Sequence, residues 1–354
     1  MTKAPERHKA ADLVLFAAAL LERAGLARPR ALAVAETLVE ADLMGHDTHG
    51  LNLLGPYLGE IEKDSMRRTG EPLTLADRGP ALAWDGQRLP GPWLVRKAMD
   101  LAAERARSFG TATMVIRRSH HIACLAAYLK RATDRGLVML LACSDPNGGS
   151  VAPHGGRRGV YTPNPIAAGW PTDGAPVLLD VSMSYTTNGL TGRLHKEGSR
   201  LPHPWLLDED GRPTDDPSVL FDGRQGALLP IGGIEAGHKG FALGLLVEAL
   251  TSALAGHGRA DPKEGWGASV YLQMIDPDAF GGRAAFAREA QWLADACRAV
   301  PPRPGLGAVR LPGERGLALR ARQIREGVAL HPGIMPQIVP WAERLGVPAP
   351  AALS

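Results

Sequence analysis

The chain is poor in aromatic residues: 7 Trp, 5 Tyr and 6 Phe make up 5% of 354 residues. Its core has to be filled by Ala, Leu, Val and Ile. Cysteine is scarce too. Cys124, Cys143 and Cys297 show no metal-ligand spacing, and an odd count argues against a disulfide framework. A reducing compartment is expected, and with it a cytoplasmic location. No sign of charge dominates: 40 basic and 37 acidic side chains leave +3 at pH 7, without the basic field that nucleic-acid binding needs. The longest apolar run near the start, Leu13 to Leu21, falls far short of the ~20 residues of a membrane span. Lys3, Arg7 and Lys9 before it imitate a signal peptide, yet the pattern runs on through Glu22 and Arg23 without a small-residue cleavage site, so an amphipathic helix is expected. Several signatures are missing altogether: Gly-x-Gly-x-x-Gly after a strand, the Walker A lysine motif, the Gly-x-Ser-x-Gly elbow and His-Glu-x-x-His.

What is present reads as an α/β protein of roughly two domains' length. Residues 8–25 and 29–45 have helical periodicity, broken by Gly25 to Pro29. The stretch 70–90, punctuated by Gly70, Pro72, Gly79, Pro80, Gly86 and Pro90, reads as loop. A helix is predicted over 92–108, a strand over 112–116, a helix over 121–135 and a strand over Leu137 to Cys143. This β–α–β order with apolar strands predicts a sheet buried on both faces. Further strands are expected at Val177 to Val181 and Ser269 to Ile275, with helices from Lys239 to about Leu254 and Arg283 to about Ala299. Residues 185–235 are rich in Gly, Pro and Asp, and one or two helices follow the breaks at Pro301 to Gly305.

Two of the 11 histidines' settings draw attention. His46 and His49 lie in Gly45-His46-Asp47-Thr48-His49-Gly50, at the end of the second helix. Ser119-His120-His121 follows the strand at 112–116, at a carboxyl end where ligands collect in α/β sheets. Imidazole suits proton transfer, its unperturbed pKa being near 6.5; a histidine at a helix end is also an ordinary cap. A metal-dependent hydrolase remains open, because His46, Asp47, His49, His120 and His121 include the residue types of such a centre.

Through these two motifs the sequence resembles the malate/L-lactate dehydrogenase type 2 family of NAD(P)-dependent oxidoreductases. The likeness continues through Val151-Ala152-Pro153-His154-Gly155-Gly156, Asn164-Pro165, Leu179-Asp180-Val181-Ser182-Met183-Ser184, Asp210-Gly211-Arg212-Pro213-Thr214, His238-Lys239-Gly240-Phe241-Ala242-Leu243 and Leu311-Pro312-Gly313-Glu314. The blocks keep their order over nearly the whole chain. The resemblance is nearest to the hydroxycarboxylate dehydrogenase branch.

It implies a central sheet with flanking helices that is not a Rossmann fold, a helical region built from both chain ends (1–70 and 285–354), an α/β cofactor-binding core (71–284) and a homodimer. It also implies NAD or NADP as cofactor and a small 2-oxo or 2-hydroxy acid as substrate, with neither a metal, a nucleic acid nor a membrane as partner. His121 matches a general acid/base, and His49 a proton donor or cofactor contact. Ala123, Cys124 and Leu125 match one cofactor-binding segment, and Leu178, Leu179, Asp180, Val181 and Ser182 another. Ser144, Lys239, Gly313, Glu314 and Arg315 match further cofactor contacts. Lys239 would open its helix and meet a phosphate. Asp180 and Ser182, just after a strand, would reach ribose hydroxyls. The chain departs from the pattern at Leu53, where several branches carry the arginine that holds the substrate carboxylate. Arg117, Arg118 or the Arg193–Lys196 segment would take that role, and Leu53 would line a pocket for a larger side group. A non-catalytic nucleotide-binding sensor is the other alternative.

Overall fold

The computed structural model describes residues 6–353; Lys3 of the basic leading stretch lies outside them. Its centre is a seven-stranded sheet made, in chain order, of β1 (Leu73–Asp77), β2 (Ala81–Asp85), β3 (Thr111–Ser119), β4 (Val138–Ser144), β5 (Ile166–Trp170), β6 (Val177–Val181) and β7 (Ala268–Ile275). Across the sheet the order is β1-β2-β3-β7-β4-β5-β6. β2 and β3 pair in parallel, and the other neighbours are antiparallel. The helices are α1 (Ala10–Arg23), α2 (Arg28–Leu43), α3 (Leu54–Glu62), α4 (Gly91–Phe109), α5 (Ala126–Thr133), α6 (Asn188–Lys196), α7 (Gly233–Glu248), α8 (Arg283–Ala299), α9 (Glu314–Glu326) and α10 (Ile334–Leu345).

The predicted β–α–β order exists as β3–α5–β4, but these strands are not neighbours. β7, which arrives much later in the chain, lies between them and runs antiparallel to both: Tyr271 faces Val115 on one side and Ala142 on the other. β3 and β4 therefore point the same way. Their carboxyl ends, Ser119 and Ser144, meet the start of β7 at Ala268 and Ser269. Ligands collect at such strand ends.

Two apolar clusters hold this frame. One packs α4 and α5 on the sheet through Val95, Ala102, Tyr128 and Leu129 against Met114, Leu141 and Leu272. The other joins Leu13, Leu20, Leu38, Leu54, Tyr57 and Leu58 of α1–α3 to Ile334 and Ile338 of α10. Burial of one such leucine contributes about 1.5–3 kcal/mol, which is why aliphatic residues suffice without many aromatics. Arg7–His8 also pairs with Val328–Ala329, tying early and late chain together.

Three expectations need correction, and the Gly-, Pro- and Asp-rich stretch has structure of its own. The stretch 70–90 is not loop: Gly79 and Pro80 make the turn of the β1–β2 hairpin, on the exposed edge of the sheet. Residues 185–235 hold α6 and a small sheet of Leu206–Leu207, Pro213–Thr214 and Ala227–Leu228. The helix predicted from residue 121 begins at Ala126, because the chain between is held in an irregular loop with Ala123 at φ 59°. The helix predicted from Lys239 begins at Gly233 and passes through a π-helical turn at Ala249–Ala253. Its glycines are inside the helix because neighbours press on them: a Cβ on Gly240 would meet Ile231 N at 2.5 Å, and one on Gly244 the Tyr161 ring at 2.7 Å. Lys239 therefore sits within α7, not at its N-terminus.

Candidate active site

The loop after β3 aims the histidines. Ala123, in a left-handed conformation that costs about 1–3 kcal/mol for a residue with a side chain, turns its N–H toward His121 Nδ1 at 3.3 Å. Tyr57 is fully buried on α3, and its Oη lies 2.8 Å from the same Nδ1 and 3.2 Å from the His121 carbonyl oxygen. With Nδ1 engaged, Nε2 is the ring nitrogen left for a substrate. Trp266 stacks on the His121 ring at 4.6 Å, and His49 lies on it at 6.0 Å. Burial, with His49 and His120 close by, holds the His121 pKa well below the ordinary histidine value. His121 and His49 nevertheless keep some open surface, whereas His120 has none.

His49 is placed by the turn after α2. The carboxylate of Asp42 accepts the Leu51 N–H at 2.7 Å and fills the space where a Gly50 side chain would stand. Thr48 Oγ1 lies 2.9 Å from His49 Nδ1. Burial depresses the His49 pKa to about 4; nearby His46 adds to the shift and Asp47 opposes it. Arg193 of α6 grips Asp47 with two bonds, at 3.0 and 3.1 Å. His120 is packed against Tyr57 and Trp266, which also touch each other, and its Nε2 lies 3.5 Å from Glu60 Oε2. Burial depresses its pKa also to about 4.

The three expected cofactor segments meet beside these histidines. Asp180 lies within β6, not after it. Its Oδ2 accepts the Ala126 N–H at 2.8 Å and faces the Cys124 thiol at 3.6 Å, clamping residues 123–125 to the end of β6. Leu178 N–H donates to Pro312 O at 3.1 Å, and Gly313, at φ 89°, leaves room where a Cβ would meet the Leu178 Cβ at 2.7 Å. Gly313 starts α9 without a side-chain cap, and Arg315 in its first turn is exposed, with no ion-pair partner among the described residues. A glycine-lined helix start beside a free guanidinium suits a dinucleotide's phosphates, so these residues fit the expected cofactor.

Of the other expected contacts, three are engaged elsewhere or lie apart from this meeting point, and Lys239 is free among the described residues. Ser144 is buried and shares its hydroxyl with Thr251 and Ser252. Ser182 donates to Ser184 O, and Glu314 binds Arg298 and the Leu311 N–H. Lys239 is exposed and has no polar partner among the described residues. Arg117 and Arg118 both pair with buried Asp85. Leu53 lies in the apolar cluster with Tyr57 and Ala123 instead of opening onto solvent. Among the described residues one group could hold a metal, His46, Cys124 and Asp180. Asp180 there already serves the Ala126 N–H, and burial raises both its pKa and that of the Cys124 thiol, which disfavours the charged ligand forms. The five-residue metal set considered from sequence does not converge.

Sequence reasoning missed Tyr57, Trp266 and Asp42, and it named Arg193 only as part of a candidate segment. Two signals were available: Tyr57 is one of only 5 tyrosines and closely follows the His49 motif, and Trp266 stands between two glycines just before β7.

The sequence profile of the malate/L-lactate dehydrogenase family matches residues 8–339. The chain belongs to this family. The L-lactate dehydrogenase of Cupriavidus necator is 32% identical over 326 residues, covering 90% of this chain and 92% of that protein. Hydroxycarboxylate dehydrogenase B of Escherichia coli is 29% identical over 353 residues, covering 97% and 95%. The solved structure of a putative malate/lactate dehydrogenase from Escherichia coli superposes with a TM-score of 0.88 at 28% identity, over 97% of this chain and 96% of that one. Membership accounts for the missing glycine fingerprint, since this mixed sheet is not a Rossmann fold. It supports oxidoreduction of 2-hydroxy and 2-oxo acids, and nothing found supports a metal hydrolase or a non-catalytic sensor.

Proposed function

We propose that this dehydrogenase uses NAD or NADP to interconvert a small 2-hydroxy carboxylate and its 2-oxo partner, with His121 Nε2 carrying the proton. The observation behind this reading is the meeting of three segments, at Cys124, Asp180 and Gly313, beside a partly open His121 whose Nδ1 is already bonded. The nicotinamide, when bound, gives or accepts the hydride. Residues 123–125, 178–182 and 313–315 would cradle the cofactor, with Ser144 and Lys239 as outlying contacts. His49, whose ring centre lies 6.0 Å from that of His121, would orient the substrate. Arg193, anchored near His49 by Asp47, is our choice for the substrate carboxylate in place of an arginine at position 53.

We further propose a homodimer and a cytoplasmic enzyme. The exposed Ile234, Leu243, Leu245 and Leu246 of α7 and Trp292 and Leu293 of α8 offer apolar surface for a second copy. We keep the division into a helical unit from both chain ends and an α/β core; the Arg7–His8 pairing with Val328–Ala329 favours it.

The test is His121→Ala assayed with NADH and NADPH against a panel of 2-oxo acids. A fall in kcat of roughly 10²–10⁴-fold is expected, the usual contribution of a general acid, with cofactor affinity little changed. Turnover near the wild-type rate would overturn the assignment.

A further inference from the structure

We infer that Tyr57 is a positioning residue for the proton step: its hydroxyl gives His121 Nδ1 a partner in every protonation state, so that Nε2 alone exchanges a proton with substrate. The inference rests on the reading of His121 as the acid–base group. Tyr57 is fully buried, and its Oη is flanked by two acceptors of His121, Nδ1 at 2.8 Å and the carbonyl oxygen at 3.2 Å, with the Ala123 N–H also close to it. A buried hydroxyl has to donate one bond. Here one proton has two acceptors within reach.

Three states follow. With the ring neutral and its proton on Nε2, Nδ1 accepts from Tyr57 O–H. With the ring charged, Nδ1–H donates to Tyr57 Oη, and the phenolic proton turns to the His121 carbonyl. In reduction the hydride forms the new C–H bond, the carbonyl π pair moves to oxygen, and that oxygen takes the proton from Nε2. The ring is left neutral with its proton on Nδ1, still held by Tyr57 Oη. Oxidation of the hydroxy acid runs the same steps backward. One O–H rotation serves all three, and no heavy atom moves. Ala123 N–H, at 3.3 Å from Nδ1, favours the first state. Tyr57 is therefore the group that makes the other two accessible. The remaining titratable neighbours are His49, stacked on the ring, and His120, with Glu60 and Arg88 behind it.

Tyr57→Phe keeps the volume and removes the acceptor. An unsatisfied N–H then burdens the charged and Nδ1–H states, so kcat is expected to fall about 10–100-fold in both directions. The limb of the reductive pH profile that needs charged His121 should move toward acid by about one unit. Cofactor dissociation constant and melting temperature should stay near wild type. In a His121→Ala background the second change should cost nothing more. A Tyr57→Phe enzyme with wild-type kcat and pH profile would overturn the inference. So would one whose melting temperature falls while its pH profile stays in place, since that is mere packing. If His121→Ala itself stays active, the underlying acid–base reading fails instead.

Discussion

Gly91 lies directly beneath the backbone of His121. A side chain on Gly91 would overlap the carbonyl oxygens of both His120 and His121, which rest on the first turn of α4. The helix start thus acts as a floor for the loop that carries the His121 ring.

Gly91→Ala should therefore lift this loop. Misplacing a reacting group by about 1 Å can cost ~10²-fold, and overpacking costs about 1–3 kcal/mol. The expected result is a fall in kcat of ten-fold or more with a lower melting temperature. Gly281→Ala is the control, because a Cβ there meets nothing within 4 Å. Equal activities for the two variants would show that the floor has no part in aiming His121.

Leu53 is the departure that raised the question of the substrate carboxylate. Its side chain is 9% exposed and packed among Leu51, Leu54 and Tyr57. Leu53→Arg would bury an unpaired guanidinium, at a cost of about 3–5 kcal/mol. The variant should melt well below wild type and gain no preference for oxaloacetate over pyruvate or phenylpyruvate. Leu53→Ala should lower stability by about 2–5 kcal/mol and leave the substrate ranking as it was. An arginine variant of wild-type stability with a shifted ranking would put residue 53 back in the substrate pocket.

The sequence announces those parts of the fold whose burial has a simple period. The apolar run Leu137–Cys143 became β4, and the pattern over 283–299 became α8 with the expected bounds. The β1–β2 hairpin was hidden because an edge strand with exposed Leu73 and Leu75 carries no burial pattern, and Gly79 and Pro80 read as loop. The start of α7 was hidden because its glycines answer to Ile231 and Tyr161, which are distant in sequence or invisible as contacts. The histidine pairs stood out on their motifs. The partner of His121 did not: Tyr57 is brought to it by the packing of α3 in the helical cluster, which no local spacing encodes.

His49 links the site to acid stability. Its folded pKa of about 4 lies below the ordinary 6.5. The sign follows from proton uptake: between those values the unfolded chain binds the proton that the folded chain refuses, so folding stability rises with pH across this window. The contribution is complete above about pH 6.5 and is lost as pH falls toward 4, at ~1.4 kcal/mol per pH unit. Asp42 and Asp180, whose carboxyls burial pushes up, act in the opposite sense at the acid end, so the informative quantity is a difference. Urea unfolding of wild type and His49→Asn at pH 7.5, 6.5, 5.5 and 4.5 should give stability curves that converge as pH falls, the variant losing less at each step. Parallel curves would mean that His49 titrates alike folded and unfolded. The turn held by Asp42 would then leave the His49 ring in water.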